Sequence, residues 1–199
     1  MKRKPLVIVL HGPAGVGKDS VIEKLTARTG VKRATSATTR LPRKGEEHAR
    51  DYYFLTRAEF EAGIQAGEFV EYATVYDDYK GVYASEVTRL IDSGEDMIIR
   101  TDVQGARTWR EKLDGAIFIF LMAEDRDTLR DRLIGRNSET VDSLDRRLAE
   151  IDEEIADMGN NDHVVYNHHR ALDAAVDDIE AIMERERANP GRPVPRLRG

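Results

Sequence analysis

Within its first thirty residues the chain passes from an apolar stretch, Leu6-Val7-Ile8-Val9-Leu10, through Gly12-Pro13-Ala14-Gly15-Val16-Gly17-Lys18-Asp19-Ser20 into an amphipathic run beginning Val21-Ile22. A strand, a glycine-rich turn and a helix in that order gather backbone N–H groups and a helix N-terminus around one anion. Gly12, Gly15 and Gly17 permit backbone conformations and a close approach that a Cβ would hinder. Pro13 sits where a missing N–H is tolerated. Lys18 adds a point charge suited to the β- and γ-phosphates of a nucleotide. The usual loop of this kind follows its lysine with Ser or Thr, whose hydroxyl ligates Mg²⁺. Here that position is Asp19, so the loop indicates phosphate binding with an unusual metal site. His11 reads simply as the end of the strand.

The rest of the chain alternates strand and helix. Leu6–Leu10, Met97–Asp102, Ala116–Met122 and His163–Asn167 read as strands, the first and third as short apolar runs of the kind buried on both faces. Lys18–Arg28, Arg57–Ala66, Asp125–Gly135, Thr140–Met158 and Ala171–Arg187 read as helices. This alternation implies an α/β fold with a parallel sheet covered on both sides. Residues 35 to 83 break the rhythm with many aromatics and charges, and shorter strands are expected at Asp51–Leu55 and Glu71–Val75. They read as an inserted substrate subdomain. The tail Asn189–Gly199 has three prolines and no periodicity, so it is expected to be disordered.

Composition narrows the partners. At 199 residues the chain fits one domain, or one core with insertions, and its lack of cysteine excludes disulfides and thiolate metal sites. A net charge of −6 argues against a nucleic-acid surface. No apolar stretch approaches the ~20 residues needed to span a bilayer. The basic start Met1-Lys2-Arg3-Lys4-Pro5 precedes an apolar run too short for a signal peptide, and no transit peptide is evident. A soluble bacterial cytoplasmic protein, monomeric or homodimeric, is the expectation.

Several separate motifs stand in register with the loop: Ser36-Ala37-Thr38-Thr39-Arg40, Pro42-Arg43-Lys44-Gly45-Glu46, Asp51-Tyr52, Glu71-Tyr72-Ala73 and Asp102-Val103-Gln104-Gly105-Ala106. Arg132-Leu133-Ile134-Gly135-Arg136, Arg146-Arg147-Leu148 and Val164-Val165-Tyr166-Asn167 continue the series. Together they resemble guanylate kinase from about Leu6 to Ile182. Gly-Lys-Asp in the loop, Tyr79-Lys80-Gly81 and Arg100-Thr101-Asp102 resemble the branch of that family found in plant organelles and some bacteria. The resemblance implies a nucleoside monophosphate kinase fold with a core at about 1–34, 84–124 and 159–188. It also implies a GMP-binding subdomain at about 35–83 and a helical lid at about 125–158. The activity implied is phosphorylation of GMP, and of dGMP, by ATP with Mg²⁺.

The resemblance also distributes roles. Guanine presents its N1–H and N2 amine as donors on one edge, and the family meets them with carboxylates; Glu71 and Asp102 stand at the matching positions. Adenine lacks both donors and would leave those carboxylates unpaired, which supports discrimination on the order of 10⁴. Ser36 matches a hydroxyl that contacts guanine O6. Arg40, Arg43 and Tyr52 match groups that hold the GMP phosphate. A second family tyrosine falls on Lys80, either a phosphate ligand or a loop charge, and a family hydroxyl falls on Val82, which cannot hydrogen-bond. Arg132, Arg136 and Arg147 match lid arginines that close over the donor phosphates, and Asn167 an asparagine near adenine. His168 and His169 read as surface residues.

At the metal site a loop hydroxyl has become Asp19, and the family's strand-end aspartate has become Arg100. Either Asp19 anchors the metal, directly or through water, with Arg100 contacting Asp19 or a phosphate, or the two form a purely structural ion pair. No general base is required, because GMP already presents a phosphate oxygen as nucleophile. Two other readings stay open at this point. A ribose bisphosphate kinase family also carries Gly-Lys-Asp-Ser but has no reason to keep Glu71 and Asp102. A non-catalytic scaffold module would not need Lys18 and the lid arginines.

Overall fold

The computed structural model describes residues 4–75, 77–125, 127–129, 151, 152 and 154–198. The strands of its central sheet are β1 (Val7–His11), β2 (Lys32–Arg33), β7 (Met97–Arg100), β9 (Ile117–Ala123) and β10 (His163–Asn167). They lie in the order β10-β9-β1-β7-β2, and every pairing is parallel. All residues of β1 and β9 are buried, which explains why they read as unbroken apolar runs. Alternate side chains of β1 enter different cores. Leu6, Ile8 and Leu10 pack with Val21, Ile22 and Leu25 of α1 (Lys18–Thr29) and Val176 and Ile179 of α5 (Leu172–Ala188). Val7 and Val9 pack with Val87 and Leu90 of α3 (Ala84–Ser93) and Ala106 and Trp109 of α4 (Val103–Lys112). A strand filling a core on each side places its C-terminal end, and the loop that follows, at the edge of both layers.

A second sheet lies wholly within residues 37–83. It comprises β3 (Ala37–Thr38), β4 (Tyr53–Phe54), β5 (Phe69–Val75) and β6 (Asp78–Tyr83), in the order β4-β3-β6-β5. Its own small core stacks Phe60 of α2 (Arg57–Gln65) on Phe69, with ring centroids 4.3 Å apart. A capping box between Thr56 and Glu59 fixes the start of α2. A register shift between Phe69 and Glu71 sets Glu71 opposite Val82. Sequence pattern does not mark β3, β6, α3 or α4. The helices α3 and α4 are ten residues each, and α3 starts at Tyr83 without a side-chain cap bond. The helices expected over Asp125–Gly135 and Thr140–Met158 lie mostly outside the described residues. Near the end of the second, Asp157–Asn160 forms a 3₁₀ turn.

The expected disordered tail is a correction. Arg192 is 6% exposed and its guanidinium donates to the Lys4 and Pro5 carbonyls, each at 3.0 Å. Beyond it β11 (Arg196–Leu197) pairs antiparallel with β8 (Leu113–Asp114), and both Arg196 and Arg198 bond Asp114. Absence of periodicity is no guide here: an extended, proline-rich strap needs no amphipathic repeat when charged anchors hold its ends. Burial, the largest influence, lowers the Arg192 pKa, so its hydrogen bonds compensate a real desolvation penalty. Arg192→Met is expected to lower unfolding stability by about 2 kcal/mol in urea titrations, with an unchanged m-value.

Candidate active site

The loop after β1 is shaped by contacts that glycine alone tolerates. Gly12 has φ of 138°, and a Cβ there would lie 2.1 Å from the Leu121 carbonyl oxygen on β9. Gly17 has φ of 94° and caps α1; a Cβ on it would meet the Asn167 amide nitrogen at 2.5 Å. That amide donates to the Val16 carbonyl at 2.8 Å. Asn167, expected beside adenine, is thus 6% exposed and braces the loop from behind. Ala14 is at the exposed tip, and α1 opens at Lys18 with its first N–H groups turned toward the loop. The Lys18 ammonium folds back onto the Gly12 and Pro13 carbonyls. Burial, and next the nearby Arg100 charge, lower its pKa to about 8.

Register carries Arg100 to the same place. Leu10 pairs with Arg100 across β1 and β7, so Arg100 leaves the sheet beside the loop. Its Nε lies 2.9 Å from the Asp19 carboxylate, and Arg33 approaches the same oxygen at 3.6 Å. Asp19 is in the first turn of α1, where a carboxylate also complements the helix dipole. Ser20, next in the helix, is exposed. Among the described residues no group of three or more His, Asp or Glu is placed to hold a metal ion.

On the second sheet, Glu71 faces the start of α4. A Cβ on Gly105 would lie 3.0 Å from Glu71 Oε1, so the absent side chain leaves room for that carboxylate. Asp102 caps α4 by accepting from the Gly105 N–H at 2.8 Å. Burial, then the Asp102 charge, raise the Glu71 pKa to about 7. Asp102 also acts on Lys18, so one carboxylate lies within electrostatic reach of both the loop and Glu71. Ser36 is half-buried where the chain enters the second sheet, its carbonyl accepting from Tyr53 N–H. Val82, opposite Glu71, is buried in the core beneath.

A cationic group forms about the same sheet, where Lys80 pairs with Thr38 and Ala73. The fork of Arg40 is met by both oxygens of Glu46, at 2.9 and 3.0 Å, and its plane lies over Tyr52 at 5.4 Å. Glu46 further accepts the backbone N–H of Arg43, whose residue is exposed. Lys80 is half-buried, and its pKa is lowered chiefly by burial and then by Arg100 and Arg40, with Tyr52 opposing. Lys18, Asp19, Arg40, Tyr52, Glu71, Lys80 and Asp102 are thus linked through electrostatic neighbours: Lys18 with Asp19 and Asp102, Asp102 with Glu71, and Lys80 with Tyr52, Arg40 and Asp19. Arg132, Arg136 and Arg147 lie outside the described residues.

Three participants are not evident from sequence. Glu46 is visible in its motif without a role, and Arg33 carries no signal. His11, which reads as a strand end, is fully buried, and its Nε2 pairs with Asn161 Oδ1, which also accepts from Arg110. Arg110 in turn faces Asp157. Burial first lowers the His11 pKa to about 4, keeping the ring neutral near pH 7. Its partner is 150 residues away, a separation that no local pattern reports.

The family model described as guanylate kinase matches residues 2–186. The chain is 44% identical over 187 residues to guanylate kinase 2, chloroplastic/mitochondrial, of Oryza sativa subsp. japonica, covering 93% of this chain but only 66% of that protein. It is 42% identical over 186 residues to guanylate kinase of Halalkalibacterium halodurans, covering 93% of this chain and 90% of the relative. Among solved structures, guanylate kinase from Anaplasma phagocytophilum superposes with a TM-score of 0.72 at 28% identity, covering 96% of this chain and 91% of that one.

The raised Glu71 pKa has a consequence for stability. A carboxyl group that titrates at about 7 when folded and near 4.5 when unfolded favours folding in its protonated form. Stability from this group is therefore lost as pH rises from about 4.5 through 7. Glu71→Gln is expected to match the parent at pH 4 and to exceed it by on the order of 2 kcal/mol at pH 8 in denaturant titrations.

Proposed function

This chain belongs to the guanylate kinase family and catalyses ATP-dependent phosphorylation of GMP to GDP, and from that premise we propose how its own residues divide the work. The observation that carries the assignment is the meeting of Glu71 and Asp102 at the start of α4, within electrostatic reach of Lys18. The two carboxylates accept the N1–H and N2 amine of guanine, and Ser36 contacts O6. Arg40, Arg43, Tyr52 and Lys80 hold the GMP phosphate. Glu46 stands in for that phosphate on the Arg40 fork when the cleft is free. Recognition of base edge and phosphate, with no role for the 2′-hydroxyl, extends the acceptor range to dGMP.

Gly12 to Ser20 cradle the ATP phosphates, with the loop N–H groups directed at the anion and Asn167 holding the loop in place. Lys18 turns from the Gly12 and Pro13 carbonyls to the phosphates, whose charge restores its full protonation. Residues 35–83 form the acceptor subdomain, 125–158 the lid and the remainder up to 188 the core. Arg132, Arg136 and Arg147 close over the donor phosphates, an assignment supported by the family match alone. Closure of both moving parts excludes water from the transfer.

Mg²⁺ belongs to the proposal as a companion of ATP. When bound with ATP it would supply positive charge against the phosphates, and it would ask only one or two carboxylates of the protein. Asp19, 60% exposed and adjacent to Lys18, fits that limited demand through water. Its neighbour Arg100 makes direct coordination unfavourable until phosphates are bound. A cytoplasmic location, a monomer or homodimer, and no nucleic-acid partner complete the proposal. Net charge of −6 supports the last, and no described helix is long and apolar enough to cross a membrane.

Steady-state kinetics test the roles of the two carboxylates. Glu71→Gln and Asp102→Asn are each expected to lower kcat/KM for GMP about 100-fold while the KM for ATP holds. Glu71 must be ionised to accept both donors. The parent KM for GMP is therefore expected to rise as pH falls below about 7. A parent KM that does not change with pH across that range would contradict the assignment, as would an unchanged kcat/KM in the Glu71→Gln variant.

A further inference from the structure

We propose that Arg100 is a catalytic residue whose guanidinium, steadied by Asp19, contacts the phosphoryl group in transit between ATP and GMP. The proposal rests on the guanylate kinase reading of the cleft and adds a cation that the loop motif does not supply.

Position is the first support. Arg100 ends β7 in register with Leu10, two residues before Gly12, so its side chain emerges next to the phosphate loop. Its charge bears on both Lys18 and Lys80. Lys18 serves the donor phosphates and Lys80 the acceptor phosphate, so Arg100 lies within electrostatic reach of both.

The second support is the state of the guanidinium. Arg28, Arg40 and Arg198 each give carboxylates two or more hydrogen bonds. Arg100 differs: its Nε is close to Asp19 and buried, yet no aligned hydrogen bond reaches that nitrogen among the described residues. The residue keeps 30% of its side chain exposed. A planar, permanently charged fork with unspent donors suits the equatorial oxygens of a transferring phosphoryl group.

Stability alone is a poor reason for the pair. Asp19 is 60% exposed, and ion pairs exposed to that degree stabilise a fold by at most about 1 kcal/mol. Orientation of Arg100 gives Asp19 a purpose consistent with its exposure. In the transfer a phosphate oxygen of GMP forms the new bond to the γ-phosphorus. The bond from that phosphorus to the bridging oxygen of the β-phosphate breaks, and ADP leaves with the electron pair. Arg100 exchanges no proton; it offsets negative charge as the phosphoryl group passes.

The test is kinetic, with thermal unfolding as the control on folding. Arg100→Gln is expected to lower kcat about 1,000-fold while the KM values for GMP and ATP stay within about threefold of the parent. The melting midpoint should shift by no more than about 3 °C. Arg100→Lys should recover only part of the loss, since an ammonium is not a fork. Asp19→Asn is expected to reduce kcat about 30-fold in the parent and clearly less in the Arg100→Gln background, where only its water-mediated hold on Mg²⁺ remains to be lost. A kcat for Arg100→Gln within threefold of the parent would overturn the proposal. So would a loss confined to KM, or an undiminished Asp19→Asn effect in the double variant. Parent turnover of GMP is measured alongside: its absence would dismiss the guanylate kinase reading itself, whereas an active parent isolates the role of Arg100.

Discussion

Parallel pairing of β1 with β7 on one side and β9 on the other is the constraint on which the cleft depends. It sets Leu10 beside Arg100 and His11 beside Phe120, and it brings Gly12 against the Leu121 carbonyl. A one-residue slip would exchange the two core faces of β1 and move the loop off the Asn167 brace. Burial of every residue of β1 against helices on both sides makes such a slip costly. The loop thus takes its position from the sheet, and Gly12 and Gly17 sit where a Cβ would make specific close contacts.

Around that loop the cleft concentrates positive charge in a protein that is acidic overall. Arg100 bears on both Lys18 and Lys80, and Arg40 on Lys80; burial first, and this repulsion second, show in the lowered pKa values of the two lysines. Asp19 and Glu46 act as standing counter-ions. Phosphates bound as proposed would offset the same repulsion, so binding would draw on electrostatic stress already present in the free protein. On the guanine side the stress has the opposite sign: Glu71 and Asp102 repel each other until donors arrive. In the proposed assignment, substrate recognition relieves two charge clusters of opposite sign that share Asp102 as a neighbour.

Much of this is legible in the residues. The apolar runs of β1 and β9 announce strands buried on both faces, and Gly12 to Lys18 announce an anion site with the right flanks. The motifs around Ser36, Arg40, Glu71 and Asp102 point to the acceptor cleft. The tail does not declare itself, because Arg192, Arg196 and Arg198 anchor it through charged contacts without periodicity. Nor does the bracing role of Asn167, or the His11–Asn161 pair, both of which join segments about 150 residues apart. Asp19 and Arg100 are legible as a matched departure, but only the register of β1 and β7 makes them neighbours.

The central claim is that two carboxylates read the Watson–Crick edge of guanine opposite an ATP-binding loop. Its most direct test is phosphoryl transfer from ATP to GMP, IMP and AMP under identical conditions. IMP keeps the N1–H and lacks the N2 amine; AMP lacks both donors. The account predicts kcat/KM falling in the order GMP, IMP, AMP, with GMP favoured over AMP on the order of 10⁴-fold. Comparable turnover of AMP and GMP would contradict it.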